Sequence, residues 1–517
     1  MKFTGIEYGS KRIFERRLTV LTAYFFIFTG FQATNFANAN IDVSILNSSF
    51  EEVDFATPAK IPGWRLGGTG GDLKLSSAIK TSGRYSAVIS RQLGAPFATM
   101  IQTIDATPYR GKLLSLRAKL QANAPTKGMG AVWMRADSDE IGITFASSSD
   151  QPIKNDKKWH TRQVAIEIPL AAKKVSFGAM ISSEGNLYVD DFDLKEISIL
   201  KDVKLDRSAD VYLKTAITAI RNTALKSSGI DWNNAELIAL SLANGAKKNS
   251  DTYLAIRWLV QSLNDGHSRF LTINDNRKLS LEKFRPEMIK SELAHGIAYI
   301  SVPGFSSTNP LEVEKFANDL QNRIESMREK NVCGWIVDLR ENTGGNMWPM
   351  LAGLAPILGE GVVGYFLSPK MQTEWSVREG TSWYGTQRAV KIIRPINYKD
   401  QGSVSVAVLT GPNTASSGEA ITLAFRGRKN TRSFGQPTAG LTTSNESISM
   451  PDGAKLLLAS SNFGDRSKKI YSGSIQPDDV MSELDVTKNR ALTMDAASAW
   501  LVKDNNCLES QKLSADQ

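Results

Sequence analysis

The spacing of hydrophobic residues in the first part of the chain is typical of β-strands. Across residues 40–200, short runs such as Ser86–Ser90 and Arg162–Ile168 alternate apolar with polar side chains, and clusters of Gly, Pro, Asn and Asp separate the runs. Alternation with a period of two between turn residues indicates strands with one buried face. The pattern predicts a β-sandwich over residues 40–200.

Helical spacing replaces this alternation after residue 205. Three segments carry apolar residues at i, i+3 and i+4: Ala209–Ala224, Asn234–Lys247 and Asp251–Leu263. Such spacing places the apolar side chains on one face of a helix. The sequence therefore predicts a small helical bundle over residues 205–285, with His267 on the loop after its last helix.

From residue 290 to 505, strand and helix patterns alternate. Three short runs are apolar throughout, as is typical of parallel strands that are buried on both faces. They are Ile297–Val302, Gly334–Leu339 and Val404–Leu409. Helical patterns at 311–329, 346–357 and 417–427 lie between or after them. The fold class is therefore multidomain, with an α/β core at the C-terminus.

The N-terminus has the pattern of an export signal. Basic residues up to Arg17 precede the apolar run Leu18–Phe28, and Ala37–Ala39 supplies small residues for a cleavage site. The run is shorter than the roughly 20 residues that a membrane-spanning helix needs. We predict a signal peptide over residues 1–39, an exported periplasmic or extracellular protein, and no stable membrane insertion after cleavage; an uncleaved anchor is the alternative.

Composition excludes several classes of protein. The chain has 517 residues, of which 41% are hydrophobic and 22% charged, as in ordinary soluble multidomain proteins. Its formal charge of +9 includes no long Lys/Arg block, which argues against nucleic-acid binding. Cys333 and Cys507 are the only cysteines, too few for a disulfide scaffold or a cysteine zinc site. In an oxidising compartment they are candidates for one bridge. No metal or cofactor is predicted.

Three segments carry residues that acyl transfer requires. They are Asp265–His267, Asp338–Gly345 and Thr414–Glu419. A histidine can accept a proton, a glycine pair can present backbone N–H groups, and a serine can act as nucleophile. The chain has only three histidines, so His267 is the candidate base, with an unperturbed pKa of about 6.5.

Each segment also has a purely structural interpretation. The spacing of Ser416 and Glu419 is that of a capping box, in which the hydroxyl only satisfies free N–H groups of a helix. Gly344 and Gly345 fit a tight strand-to-helix turn. Asp338 and Arg340 are predicted to form a structural ion pair. Taken singly, none of the three segments establishes a catalytic site.

The order of the motifs is more specific. Leu263–Ser268, Gly334–Gly345, Ala415–Glu419 and Gly435–Gly440 together resemble the C-terminal processing (tail-specific) protease family of serine peptidases, in its tricorn-like, histidine-using branch. The resemblance implies a core similar to the crotonase and Clp protease fold, and a protein or peptide substrate. It also implies site residues: Ser416 as nucleophile, His267 as base, and the N–H groups of Gly345 and Ser417 as the oxyanion hole.

The chain departs from that family's pattern in three places. Leu441 stands where the tail-specific branch has its catalytic lysine, so a Ser–Lys dyad of that form is excluded. The glutamate expected just before the closing Pro-Asp element is missing. Glu446 is our first candidate for the acid that orients His267, followed by Asp465 and Glu419. The segment between His267 and the strand at residue 297 is too short for a PDZ domain.

The N-terminal region resembles the galactose-binding-like jelly rolls of carbohydrate-binding modules. The landmarks are Asn47–Glu51, Gly63–Trp64, Tyr109–Lys112 and Tyr188–Leu194. We therefore interpret residues 40–200 as a jelly-roll module, which makes carbohydrate a second candidate partner.

The predicted function is that of an exported serine endopeptidase acting on unfolded or loosely structured proteins. Two alternatives stay open. One is a catalytically weak or inactive binding protein on the same scaffold, for a lipophilic ligand or a peptide. The other is a carbohydrate-directed esterase, which the N-terminal module suggests.

The missing PDZ domain leads to a prediction about substrate ends. Without a domain that captures a free C-terminus, cleavage of an unfolded substrate should depend little on its terminal carboxylate. The test compares the cleavage rates of one unfolded substrate with a free and with an amidated C-terminus. A loss of tenfold or more on amidation, about 1.4 kcal/mol, would reveal a carboxylate-binding site that the sequence does not show.

Overall fold

The computed structural model describes residues 43–504 except 55–59, 69, 93–96, 124–129, 140–141, 150, 152, 154, 282, 331, 394–403 and 482–485. The predicted signal peptide, residues 1–39, and Cys507 lie outside these ranges, so signal cleavage and the Cys333–Cys507 bridge stay predictions. No helix in the described ranges is long and apolar enough to cross a membrane.

Residues 65–197 form the predicted β-sandwich. Its strands are β1 (Arg65–Gly68), β2 (Gly71–Ser76), β3 (Ser86–Arg91), β4 (Ala98–Asp105), β5 (Leu113–Asn123), β6 (Gly130–Asp137), β7 (Gly142–Ser147), β8 (His160–Glu167), β9 (Lys174–Ile181) and β10 (Gly185–Ile197). One antiparallel sheet has the order β1-β4-β9-β6-β7, and it is stacked on a second with the order β2-β3-β10-β5-β8. Alternate residues such as Ile89, Leu116 and Phe177 are buried between the sheets, as the period of two predicts.

The helical region follows the sandwich directly. It contains α1 (Arg207–Thr223), α2 (Trp232–Leu242), α3 (Tyr253–Ser262), the short strand β11 (Arg269–Leu271) and α4 (Ile273–Ser280). The Asp231 side chain caps α2 by accepting the N–H groups of Asn233 and Asn234. The loop after α3 carries His267, as predicted, but α3 is not the last helix of the region, because α4 follows β11.

The C-terminal region is an α/β structure built on two sheets. Its strands are β12 (Ser291–Ala294), β13 (Ile297–Ser301), β14 (Gly334–Asp338), β15 (Gly361–Ser368), β16 (Met371–Arg378), β17 (Thr381–Tyr384), β18 (Gln387–Arg388), β19 (Ser405–Thr410), β20 (Thr431–Gly435), β21 (Thr443–Ser449), β22 (Lys455–Gly464), β23 (Ile470–Tyr471) and β24 (Asp479–Val480). The helices are α5 (Pro310–Arg328), α6 (Met347–Leu358), α7 (Ser417–Phe425) and α8 (Val486–Asp504).

One sheet of this region has the order β12-β13-β14-β19-β20-β24, and β13, β14, β19 and β20 run parallel. The other runs β11-β22-β15-β16-β17-β18, with β21 and β23 also paired to β22. Residues of α5, α6 and α7 share one buried cluster with both sheets. The three apolar runs of the sequence are β13, β14 and β19. β14 and β19 are buried along their whole length, as predicted, whereas β13 is buried only at Ala298 and Ile300, because its other face is half-exposed.

The ends of the parallel strands bring two motif loops together. β14 and β19 are adjacent and parallel, so the segments that follow them leave the same edge of the sheet. Thr414 Oγ1 donates to the carbonyl of Leu339 at 2.8 Å, and the Ala415 N–H donates to the carbonyl of Asn342 at 2.9 Å. At this edge Arg340 and Asp338 form the predicted ion pair at 2.7 Å.

The helical region is tied to the C-terminal region through the β21–β22 hairpin. β11 pairs with β22, and the helices share a buried cluster with Leu456 and Leu458 of that strand. In the hairpin turn, Asp452 accepts the hydroxyls of Tyr212 at 2.8 Å and Tyr253 at 2.5 Å. These contacts place the loop of His267 against the start of β21.

Removing the Asp452 carboxylate should destabilise the folded chain. Asp452→Ala leaves two tyrosine hydroxyls without their acceptor, one of them on the buried Tyr212, so we expect the free energy of unfolding to fall by about 1–3 kcal/mol. Urea denaturation of the full chain measures the change. The matched control is Asp210→Ala, which removes an exposed ion pair with Lys214 and should cost about 0.3–0.5 kcal/mol. Equal losses in both variants would contradict the prediction.

Candidate active site

Ser416 lies at the turn between β19 and α7 with an unusual backbone. Its φ and ψ are 53° and −115°, a region that costs a residue with a side chain about 1–3 kcal/mol. The turn is held on both sides: Ala415 donates to the carbonyl of Asn342, and the Ser416 N–H donates to Glu419 Oε2 at 2.8 Å. The Ser416 hydroxyl lies 2.9 Å from His267 Nε2.

His267 is held by its own loop and by β21. Asp265 Oδ1 accepts the N–H groups of His267 at 2.9 Å and Ser268 at 2.7 Å, and Asn445 Nδ2 donates to the His267 carbonyl at 3.3 Å. The residue is only 5% exposed. Its second ring nitrogen, Nδ1, lies 2.7 Å from Thr443 Oγ1. The imidazole therefore bridges two hydroxyl groups.

Burial changes the charge state of this histidine. Desolvation and, to a smaller extent, the positive charge of Arg269 together lower the pKa of His267 to about 4, although the negative charge of Asp265 acts in the opposite direction. The ring is neutral at pH 7, which is the form that can accept a proton. The unperturbed value of about 6.5 used in the sequence analysis is therefore too high for this buried ring.

Gly344 and Gly345 lie directly beside Ser416. Both have positive φ, 94° and 113°, and a Cβ on Gly344 would lie 2.8 Å from the Cβ of Ser416. The Gly344 carbonyl accepts the Phe305 N–H at 3.0 Å, so the Gly345 N–H of the same trans peptide points away from Phe305. Ser417 Oγ donates to the Gly345 carbonyl at 2.6 Å.

Two backbone donors near Ser416 are available to a ligand. Within the described ranges, the N–H groups of Gly345 and Ser417 have no protein acceptor. Backbone N–H groups converging near a nucleophile can stabilise negative charge that develops on an oxygen. The structure thus brings together four of the five residues that the sequence analysis selected: Ser416, His267, Gly345 and Ser417.

The buried carboxylate of Glu419 connects this turn to a neighbouring loop. The residue is fully buried and accepts four hydrogen bonds, from Ser416 N (2.8 Å), Thr438 Oγ1 (2.5 Å), Gly440 N (2.8 Å) and Leu441 N (2.7 Å). Desolvation raises the pKa of Glu419, and these donors oppose that rise. Glu419 therefore holds the nucleophile turn and the loop 438–441, and it is not the partner of His267 Nδ1.

The structure does not bring Glu446 to His267, which corrects our first candidate for the acid. Successive side chains of a strand point to opposite faces. Thr443 and Asn445 contact His267, so Glu446 lies on the other face of β21, where it is exposed. Thr443 occupies the position expected of an acid. The sequence signal that could have found it is the strand period after Leu441, since it puts residues 443 and 445 on one face.

The remaining acid candidate, Asp465, has a different role. Its carboxylate accepts the hydroxyls of Tyr471 at 3.0 Å and Ser467 at 2.6 Å in the turn between β22 and β23. Across the described ranges, no group of three or more His, Cys, Asp and Glu side chains is arranged to hold a metal ion.

Comparison with known sequences identifies relatives of this region. Residues 296–481 match the profile of "Peptidase family S41", a range that includes Gly345 and Ser416 but begins after His267. The nisin-resistance protein of Lactococcus lactis subsp. lactis is 27% identical over 273 residues, 52% of this chain and 83% of that protein. The "Uncharacterized HTH-type transcriptional regulator YbfP" of Bacillus subtilis (strain 168) is 29% identical over 150 residues, 27% of this chain and 49% of that protein.

Solved structures also resemble parts of the chain. A lipoprotein from Streptococcus agalactiae is 28% identical with a TM-score of 0.47, covering 57% of this chain and 100% of its own. A photosystem II D1 C-terminal processing protease is 14% identical with a TM-score of 0.40, covering 56% and 98%. The CBM22-1 xylan-binding domain of Paenibacillus barcinonensis Xyn10C is 10% identical with a TM-score of 0.24, covering 30% and 94%.

The low pKa of His267 can be measured directly. We expect its imidazole resonances to titrate with a midpoint near pH 4, because burial disfavours the imidazolium. NMR of the full chain, over the pH range in which circular dichroism stays native, gives the midpoint, and His267→Gln assigns the signal. Arg269→Ala removes a positive charge and should raise the midpoint. A midpoint near 6.5 in the unmodified chain would contradict the prediction.

Proposed function

The C-terminal part of this chain is a peptidase family S41 domain, and on that premise we propose that the protein is a serine endopeptidase with a Ser416–His267 dyad. The observation that carries the proposal is the 2.9 Å contact between Ser416 Oγ and His267 Nε2, residues 149 positions apart in sequence. A capping serine does not require such a contact. The adjacent N–H groups of Gly345 and Ser417 supply the oxyanion hole.

In the proposed reaction, Ser416 Oγ attacks the carbonyl carbon of a peptide bond while His267 Nε2 takes the hydroxyl proton. The carbonyl oxygen, now negative, accepts the N–H groups of Gly345 and Ser417. The imidazolium then gives its proton to the departing amine, which leaves an acyl-enzyme at Ser416. Water hydrolyses this ester with His267 again as base. Losing one oxyanion donor typically costs a factor of about 10²–10³ in rate.

The environment of His267 favours this role over a wide pH range. Because its pKa is lowered to about 4, the ring stays neutral down to mildly acidic pH. The same shift makes it a weaker base than an exposed histidine, so catalysis relies more on the fixed geometry of the dyad and the oxyanion donors.

The proposed substrates are unfolded or loosely structured proteins and peptides outside the cytoplasm. The signal-peptide pattern of residues 1–39 supports export. The Lactococcus relative is named for resistance to nisin, so nisin is a defined substrate to include in the first assays.

A second role, carbohydrate binding, is proposed for the N-terminal sandwich. Phe145 is 54% exposed, and its ring centroid lies 6.4 Å from that of Trp133. Exposed aromatic faces of this kind can stack on sugar rings. Binding of soluble polysaccharides to the full chain, compared with Phe145→Ala, separates this role from ordinary surface packing.

The competing proposal is a binding protein without catalysis. Such a protein would have the same fold, but the hydroxyl of Ser416 would not be reactive. A carbohydrate-directed esterase is the other alternative, and it would share the nucleophile but not the substrate. Labelling of the serine separates the first alternative from the enzyme, and comparing peptide with acetylated sugar substrates separates the second.

Ser416→Ala should abolish hydrolysis of an unfolded protein and labelling by a serine-reactive phosphonate. The free energy of unfolding should fall by at most about 0.5–2 kcal/mol, the scale of a lost helix cap. Mass spectrometry of the labelled wild-type chain should locate the modification at residue 416. Ser472→Ala, at an exposed serine, is the matched control and should keep both activities. Full hydrolysis by Ser416→Ala would show that this serine is only a cap.

A further inference from the structure

Thr443 occupies the position beside His267 where a carboxylate was expected. Its Oγ1 lies 2.7 Å from Nδ1, on the side of the ring opposite Ser416. We propose that Thr443 is the residue that positions His267 for proton transfer, in place of an acid. This inference rests on the proposed function of the dyad, and it assigns a role to a residue that the motifs do not include.

The backbone around Thr443 holds its hydroxyl in place. Thr443 is the first residue of β21 and pairs with Asn462 of β22. The preceding residue, Thr442, accepts the N–H of Phe463 at 2.9 Å through its carbonyl and the N–H of Gly473 at 3.0 Å through its hydroxyl. One residue earlier, the Leu441 N–H is bound by the buried Glu419. A side chain that starts from so constrained a backbone has little freedom to leave the imidazole.

Other polar groups around the ring do not take this role. Within the described ranges, the charges that act on the pKa of His267 are those of Asp265, on the same loop, and Arg269, in β11. The carboxylate of Asp265 accepts hydrogen bonds within its own loop, from His267 N, Ser268 N and Ser268 Oγ. Glu419 of α7 is committed to four other donors. Thr443 is therefore the group that contacts Nδ1.

A hydroxyl and a carboxylate act differently on an imidazole. In the reactive tautomer, Nδ1–H donates to Thr443 Oγ1 and Nε2 is free to accept the Ser416 proton. A carboxylate would hold this tautomer alone and stabilise the imidazolium. A hydroxyl oxygen accepts the same Nδ1–H bond and so fixes the plane of the ring, but it adds no negative charge. The buried ring therefore keeps its low pKa.

The first test removes the acceptor without changing the size of the side chain. Thr443→Val should slow phosphonate labelling of Ser416 by about 10- to 100-fold, a loss of the size that follows when the hydrogen-bond partner of a metal-binding histidine is removed. The loss should lie in kcat for peptide hydrolysis, with KM little changed, because substrate contacts are intact. Thr443→Ser keeps the hydroxyl and should restore most of the rate. A wild-type rate in Thr443→Val would overturn the proposal.

The second test does not depend on activity. Nitrogen-15 shifts of His267 report the tautomer, and Thr443→Val should reduce the share with the proton on Nδ1. Thr443→Asp should raise the pKa of His267 by about 1–3 units, because a nearby carboxylate favours the imidazolium. If the protein proves not to be a peptidase, these ring measurements still decide whether Thr443 orients His267. Unchanged tautomer and titration in both folded variants would overturn the proposal while leaving the Ser416 experiments as they stand.

Discussion

The hydrogen bonds to the buried carboxylate of Glu419 are the constraint on which the site depends. A fully buried charge is costly unless its hydrogen bonds are satisfied, and four donors satisfy this one. One donor is the N–H of Ser416, and the other three lie in the loop 438–441 that leads to Thr443. The contacts thus close a ring, from Ser416 through Glu419 and β21 to Thr443 and His267, and back to Ser416. Each member is held from two sides, so the strained backbone of the serine is retained.

Leu441 illustrates how one substitution fits this arrangement. Leu441 stands at the position where the tail-specific branch of the protease family has its lysine. Its side chain lies 3.7 Å from the position that a Cβ on Gly266 would take. An apolar side chain next to the histidine loop adds no charge there, whereas a lysine would add a positive charge near the ring. Leucine at this position therefore agrees with the proposed role of a neutral His267 as the base.

Much of this structure could be predicted from the sequence. The period of two, the helical spacing and the continuous apolar runs predicted the sandwich, the helices and the parallel strands, because each period reflects which side chains an element buries. Motif order selected Ser416, His267, Gly345 and Ser417. The partner of His267 could not be predicted in the same way. A strand's period is visible in sequence, but its phase depends on the pairing register, and β21 and β22 shift register between Ser444 and Asn445. Glu446, our first candidate, lies on the face of β21 opposite Thr443 and Asn445. The pKa of His267 depends on burial, which only the tertiary structure determines.

The residues of the site are far apart in sequence, which affects when the site forms during folding. The contacts of His267 join residues 149 and 176 positions apart, so they form only after distant segments have docked. Contacts of such long range are late and slow steps in folding. A chain in which the β21–β22 hairpin has not yet joined the core carries Ser416 as an ordinary serine, without a base. Under the proposed mechanism, the chemistry is therefore coupled to completion of the fold, and a nascent or partly unfolded copy would have no Ser416–His267 pair with which to cleave the proteins around it.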